Sequence, residues 1–379
     1  MLTTLKDLDI GYIPAKNQAL IEWKKQGKKA IGYFCQSFPK EIIYAGDILP
    51  INILGDSSPI EQGNEFWTRY ACYFSRSVVD LALKGELDPL DGVVFIYTCD
   101  IAHFLNTRWQ HIPSQKDKFC YYLTHPVTPS AGAKELFTRE LFEFRKALES
   151  HFKVWISNDS LLKAIEIYNE NRALLREIDS LKKKGMISGV EAAKATFTSM
   201  LTPPEKNNEF LRTFIEEVKQ KRKPTESDQV KLFVSGAMLP STEFFELIEE
   251  EGGIVIADDL CIGSRYSRGT ISTDKEPLTA LAEYYLAENE IQWQCPSMVT
   301  EGRLERRLQY IEETVKNYGV QGVILCIPIY CDPHCWDRVC FVEHFQKNNI
   351  PVLIVDQEGS MKSEALRTRV AAFIETIRR

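Results

Sequence analysis

Short apolar runs without internal charge recur along the chain. In the first third they are "AIGYFC" (30–35), "ILPINIL" (48–54), "GVVFIYTC" (92–99) and "KFCYYLT" (118–124). Between them lie "NQALIEWKKQGKK", "PKEIIYAG" and "FWTRYACYFSRSVVDLALKG", whose apolar positions return at helical spacing. Strands alternating with helices predict a parallel, doubly wound sheet. From about Ala133 to Arg222 the pattern is almost wholly helical, and "SNDSLLKA" supplies capping residues for the second of these helices. A polar linker, "KPTESDQ" (223–229), follows. The strand pattern then resumes with "VKLFVSGA" (230–237), "GGIVIADD" (252–259), "GVILCIPIY" (322–330) and "IPVLIVD" (350–356), and "SEALRTRVAAFIETIRR" closes the chain as a helix. The second half repeats the first. The expected fold is α/β, with two similar doubly wound parallel-sheet domains of flavodoxin/Rossmann-like kind joined by a helical segment. The boundaries fall at 1–132, 133–225 and 226–379.

Length and composition add limits. The 379 residues suffice for two domains or one large core. With 44% hydrophobic and 26% charged residues, the chain is an ordinary globular one. A net charge of −7 gives nucleic-acid binding no electrostatic support. The one basic cluster, "VKQKRK" before Pro224, reads as a solvated helix end. No apolar run approaches the ~20 residues that span a bilayer, and "MLTTLKDLDIGY" has no signal-peptide core. The expected location is the cytoplasm.

Ten cysteines are many for such a chain. A reducing compartment argues against structural disulfides, so the thiols are either small buried groups or ligands. Position separates the two. Ligands of open parallel sheets bind beyond the carboxyl ends of the strands, and Cys35, Cys99, Cys261, Cys326 and Cys331 fall at or near such ends. In "TCD" and "YCDPHC" a cysteine is followed by an aspartate able to cap the next helix, and Pro333 suits a first helical position. A thiol at a helix N-terminus is expected to favour the thiolate, the form that binds metal. There is no CxxC pair for a zinc ribbon and no ferredoxin spacing. Spacing alone leaves buried thiols and a cluster assembled from both halves as alternatives.

The chain resembles the 2-hydroxyacyl-CoA dehydratase/benzoyl-CoA reductase family, which also contains the double-cubane-cluster reductases. The matching stretches are "GYFCQSFPKEIIYAGDILP", "DGVVFIYTCD", "AIEIYNENRALL", "IADDLCIGSRY", "LAEYYL", "YCDPHCWD" and "LRTRVAAFIE". The resemblance implies an iron–sulfur cluster held by Cys72, on the helix "FWTRYACYFSRS", with Cys99 and Cys331. Cys35 and Cys295 match cysteines found in many reductase-like members, and five or six thiolates could hold more iron than one cubane, up to an [8Fe-9S] double cubane in place of [4Fe-4S]. Cys335 or Cys261 is the candidate sixth ligand; the alternative for each is a buried structural thiol. The resemblance further implies a low-potential electron from a separate ATP-hydrolysing activator protein. It also implies a paralogous or identical partner subunit and an acyl-CoA substrate, either an (R)-2-hydroxyacyl-CoA to be dehydrated or an aromatic thioester to be reduced. Two other activities stay open: a double-cubane reductase of small molecules working as a homodimer, and a subunit that only relays electrons. "YACYFSRS" lacks the proline that often follows the first ligand, and Glu364-Ala365 stands where members commonly carry Gly-Gln or Glu-Gln.

Other residues have plainer alternatives. His103 and His334 lie near Cys99 and Cys331, where either could donate a proton, though such histidines are more often packing or surface residues. Asp258 and Asp259 suit a capping or pairing role, and Arg265 suits a CoA phosphate or a surface salt bridge. "GRLERRLQYIEE" has the charge alternation of an exposed helix face. "GDSSPIEQG" lacks the Lys-Ser/Thr of a P-loop, and no GxGxxG occurs, so neither ATP nor a dinucleotide is expected to bind in the usual ways.

Overall fold

The computed structural model describes Leu5 and residues 10–224, 228–287 and 294–379. The elements run α1 (Gln18–Lys25), β1 (Lys29–Tyr33), α2 (Lys40–Ala45), β2 (Ile48–Asn52), α3 (Gly63–Phe66), α4 (Tyr73–Leu83), β3 (Gly92–Ile96), α5 (Asp100–Trp109) and β4 (Phe119–Leu123). Four long helices follow: α6 (Ala131–Phe152), α7 (Asn158–Lys183), α8 (Gly189–Leu201) and α9 (Pro204–Lys221). The second half holds β5 (Val230–Gly236), α10 (Glu243–Glu250), β6 (Gly253–Asp258), α11 (Pro277–Leu286), α12 (Arg303–Tyr318), β7 (Gly322–Pro328), α13 (Asp332–Lys347), β8 (Val352–Gln357) and α14 (Glu364–Arg378). Each apolar run of the sequence forms a strand. They assemble into two parallel four-stranded sheets, ordered β2-β1-β3-β4 and β6-β5-β7-β8, so the two halves share one winding. Among the described residues no helix is long and apolar enough to cross a membrane.

One expected helix is broken. "FWTRYACYFSRSVVDLALKG" forms α4 only from Tyr73 onward, and Trp67 and Cys72 are extended (ψ 151° and 149°). Side-chain capping explains the break. Asp80 accepts hydrogen bonds from the amides of Glu61, Gln62 and Gly63 at 2.7–3.0 Å. Arg76 donates through Nε to the Ala71 carbonyl (3.0 Å). Both draw the preceding loop back over α4, and Cys72 becomes the residue at its mouth.

The helical segment is part of the core. Every residue of α8 is buried, and this helix touches both β2 and β6. Phe197 and Met200 of α8 therefore share one apolar cluster with Ile51 of β2 and Val255 of β6. The outer face of the first sheet is covered by α6, α7 and, from the second half, α11: Leu278, Leu281 and Tyr285 pack with Val94, Phe137 and Leu141.

Buried polar groups tie these layers. Glu41 on α2, fully buried, accepts from Arg172 of α7 (2.8 Å) and from the Tyr285 hydroxyl of α11 (2.7 Å). Arg172 also donates to Asn169 Oδ1 (2.8 Å), which takes the Ile271 amide (2.9 Å). Beside this lock lies Lys40, also buried, its ammonium 4.3 Å from the centre of the Tyr266 ring and 5.1 Å from that of Tyr168. Burial pushes its pKa down from 10.5 to about 8, with the Glu41 charge opposing.

This packing makes two substitutions informative. Arg172→Leu strands the Glu41 carboxylate in the core and should cost on the order of 3–5 kcal/mol in urea unfolding. Lys40→Met should stabilise the chain by roughly 2 kcal/mol at pH 7, the burial penalty less the lost ring contacts. Below the folded pKa of about 8, Lys40 is charged in both the native and unfolded chains, so the penalty is constant. Between there and 10.5 the unfolded chain binds more protons, wild-type stability rises with pH, and the variant's advantage should fade. Unfolding midpoints at pH 7 and pH 10 test the sign.

Candidate functional site

The carboxyl ends of both sheets open onto one cavity, with about 880 Å³ of empty space including its mouth. Six cysteines line it: Cys35, Cys72, Cys99, Cys261, Cys295 and Cys331. The rest of the wall is mostly apolar, with Phe34, Phe74, Phe95, Leu105 and Met238, and carries His334 but no carboxylate, lysine or arginine among the described residues.

Three of the thiols occupy equivalent places. Cys72, Cys99 and Cys331 are the N-cap residues of α4, α5 and α13. At α5 and α13 the cysteine takes the cap itself, Asp100 and Asp332 occupy the first helical position, and Pro333 the second, one place later than the sequence suggests. A main-chain hydrogen bond across the two halves, from the Tyr73 amide to the Ile329 carbonyl (3.3 Å), sets the first of these caps beside the third. Tyr330, immediately before Cys331, holds a left-handed φ of 62°. Such backbone costs free energy in a bulky residue and persists only where its surroundings hold it. Its ring lies 5.9 Å from that of Tyr70, two residues before Cys72.

The other three thiols arrive on loops. Cys35 follows β1 by two residues, and Cys261 follows β6. Cys295 lies between α11 and α12, in a loop held to the first sheet's side by the Val299 amide donating to the Val127 carbonyl (2.7 Å). Gly236, at the end of β5, keeps the wall open for Ala237 and Met238. Its φ is 158°, and a Cβ there would meet the Cys326 carbonyl oxygen at 1.9 Å.

Electrostatic coupling sorts the six sulfurs into two sets. Cys72 acts on Cys99 and both act on Cys331, Cys261 acts on Cys35, and Cys295 acts on members of both sets. Burial, reinforced by repulsion from neighbouring sulfurs, pushes Cys35 and Cys99 up to about 12 and raises Cys331 well above the usual thiol range. Burial also raises Cys72, and raises Cys261 against the pull of Arg265. The thiolate expected from the helix dipole is therefore outweighed. Nearby amides pull the other way, but none of the three capping sulfurs forms a cap hydrogen bond. Without a bound cation these raised thiols stay protonated at neutral pH, and a metal must displace their protons.

The remaining candidates divide. His334 lines the cavity and is buried; burial and then the charges of Arg307, Arg265 and Arg303 hold its pKa well below 6.5, so it is neutral. His103 is exposed on α5, its Nδ1 3.2 Å from the Tyr122 hydroxyl, and does not line the cavity. Cys335 is half-buried and packs against the second sheet's apolar cluster, and Cys326 is buried within its strand; neither lines the cavity. Cys120 points instead to Asn106 (3.7 Å), and Cys340 is exposed.

Two surface expectations are corrected. Arg265 is buried and pairs with fully buried Asp259 (3.2 Å) rather than making a surface bridge. "GRLERRLQYIEE" is not exposed all round: Arg303 and Arg307 turn inward, Arg307 reaching Asp259 (2.6 Å) and Asp337 (3.0 Å). The signal was the spacing of Arg303, Arg307, Ile311 and Thr314, a single buried stripe on α12 at helical period. Asp258 pairs with Lys182 (2.9 Å) and accepts from the amides of Leu260 and Ser264, which shapes the turn carrying Cys261.

Comparison with known proteins fits this architecture. The family model of the 2-hydroxyglutaryl-CoA dehydratase D-component matches residues 35–377. A component of benzoyl-CoA reductase from Thauera aromatica is 25% identical over 94% of this chain and 93% of its own length. The beta subunit of lactoyl-CoA dehydratase from Anaerotignum propionicum is 27% identical over 100% of this chain and 98% of its own. The beta subunit of (R)-2-hydroxyglutaryl-CoA dehydratase from Acidaminococcus fermentans is 26% identical over 94% and 95%. The family match begins just after β1, runs into α14 and spans the positions of all six cavity cysteines, and the chain belongs to the 2-hydroxyglutaryl-CoA dehydratase D-component family.

Proposed function

We propose that the cavity holds an iron–sulfur cluster and that the chain is the cluster-bearing member of an ATP-activated, low-potential reductive enzyme acting on CoA thioesters. One observation carries the reading: three cysteines, each capping a helix and drawn from both halves of the chain, face one apolar cavity. The donor set fits the group. Sulfur ligands with no carboxylate suit iron–sulfur chemistry and not a hard cation. Among the described residues, no three His, Cys, Asp or Glu side chains are grouped as ligands of a single ion. Six thiols on one cavity wall exceed the four ligands a single tetrahedral ion takes, which favours a polynuclear group.

Cys72, Cys99 and Cys331 would hold the cluster, which when bound supplies one-electron transfer at low potential. The residues around it exclude water and set its surroundings. Phe34, Phe95 and Leu105 keep the local dielectric low, and neutral His334 offers a hydrogen bond. The names of the relatives favour a CoA thioester as substrate and a multi-subunit enzyme. Tyr70, two residues before Cys72, and Trp336, on α13 after Cys331, are each 78% exposed and offer apolar surface to a partner subunit or to the ATP-hydrolysing activator.

A second reading rests on the other three thiols. Cys35, Cys261 and Cys295 raise the sulfur count of the cavity to six and favour a double cubane. That would suit a homodimeric reductase of small molecules. Cys261 is the better sixth ligand, because Cys335 lies outside the cavity wall.

Replacing Cys72, Cys99 or Cys331 with alanine should remove most of the iron and the visible absorbance of the anaerobically purified chain; full retention in the triple variant would end the cluster assignment. Iron analysis separates the two readings, with about four per chain for one cubane and about eight for two. In the second case Cys261→Ala should lower the count and Cys335→Ala should not. Reductive turnover should require ATP and a separate iron–sulfur ATPase. Sustained turnover of the isolated chain with dithionite alone would refute the activation step.

A further inference from the structure

Behind the Cys261 wall of the cavity lies a buried charge network. Asp259 and Asp337 are buried against three guanidiniums. Arg303 grips Asp337 with two bonds of 2.8 Å. Arg307 bridges Asp337 (3.0 Å), Asp259 (2.6 Å) and the Ser235 hydroxyl (3.2 Å). Arg265 completes the chain on Asp259 (3.2 Å). Among the described residues of this network, three cations against two carboxylates leave one net positive charge in the interior. Buried charge without compensation is costly, so the excess implies a negative group close by.

Arg265 points to where that group sits. Its Nη2 holds Asp259 while its Nη1 lies 3.7 Å from the Cys261 sulfur, within reach of an N–H···S bond. Its Nε and the Asp259 Oδ1 have no hydrogen-bond partner among the described residues, so the pair is not saturated by its own network. The fork is rigid, and lysine could not hold a carboxylate and a sulfur at once in the same geometry.

We propose that Arg265 is a positioning residue that donates to the Cys261 thiolate, and that the net positive charge it makes together with the Asp259–Arg307–Asp337–Arg303 network behind it raises the reduction potential of the group bound there. The inference rests on the cluster reading and on Cys261 being a ligand. Its basis is general: a hydrogen bond to a ligating sulfur and a nearby positive charge both stabilise the reduced, more negative state.

The test is a potentiometric titration of the anaerobic cluster-loaded chain, followed by EPR, with iron counted in parallel. Arg265→Gln removes the charge and should shift the potential negative with iron unchanged. Arg265→Lys should restore part of the shift. Asp259→Asn removes a negative charge and should shift the potential positive. Opposite signs are the signature, because a loosened structure would move both variants alike. Equal potentials, or shifts of the same sign, overturn the proposal. If Arg265→Gln does not fold, Asp259→Asn decides alone, and an unchanged or lowered potential overturns it. A wild-type chain without iron defeats the cluster reading and this inference together; iron at full count with unmoved potentials defeats only this inference.

Discussion

The site follows from one constraint of parallel sheets. Every strand must be followed by a crossover that returns to its starting edge, so all carboxyl ends of a sheet open on the same side. Two sheets with the same order, β2-β1-β3-β4 and β6-β5-β7-β8, therefore bring two rows of strand ends to a common cavity. The loops there carry no ladder hydrogen bonds and are free to hold chemistry. Cysteines at three helix caps and three loops use that freedom without disturbing either sheet.

Holding the two halves in register is the harder task, and buried polar groups do much of it. The Glu41–Arg172–Tyr285 lock joins α2, α7 and α11, which are far apart in sequence. The Tyr73–Ile329 and Val299–Val127 main-chain bonds fasten loops of one half to the other next to Cys72, Cys331 and Cys295. Helix α8 fills the space between the sheets with apolar side chains. Hydrophobic contact alone is non-directional. The polar contacts add direction, which a site built from both halves needs.

The thiols themselves oppose the arrangement. Burial and mutual repulsion hold Cys35, Cys99 and Cys331 protonated. Their clustering is a liability in the free chain and an asset only toward a group that takes thiolates. Arg265 brings a cation within bonding reach of a cavity sulfur, that of Cys261.

What the sequence determined is the local part. The eight strands, the four long central helices and the placement of cysteines near strand ends were legible because each depends on periodicity or on residues next to one another. So was the gathering of Cys35, Cys72, Cys99, Cys295 and Cys331 as candidates, through strand ends and motif resemblance. The break before α4 was not, because it is made by Asp80 and Arg76 reaching back over a loop. Nor was the burial of Arg303 and Arg307, whose stripe on α12 looks solvated until Asp259 and Asp337 arrive from other elements. Only the tertiary structure separated Cys261 from Cys335. Cys261 sits on the turn three residues after β6 and lines the cavity, whereas Cys335 lies one helical turn beyond Cys331, half-buried and outside the cavity wall. Side-chain direction at the end of a strand is decided by what packs against the turn, and that is information no local window contains.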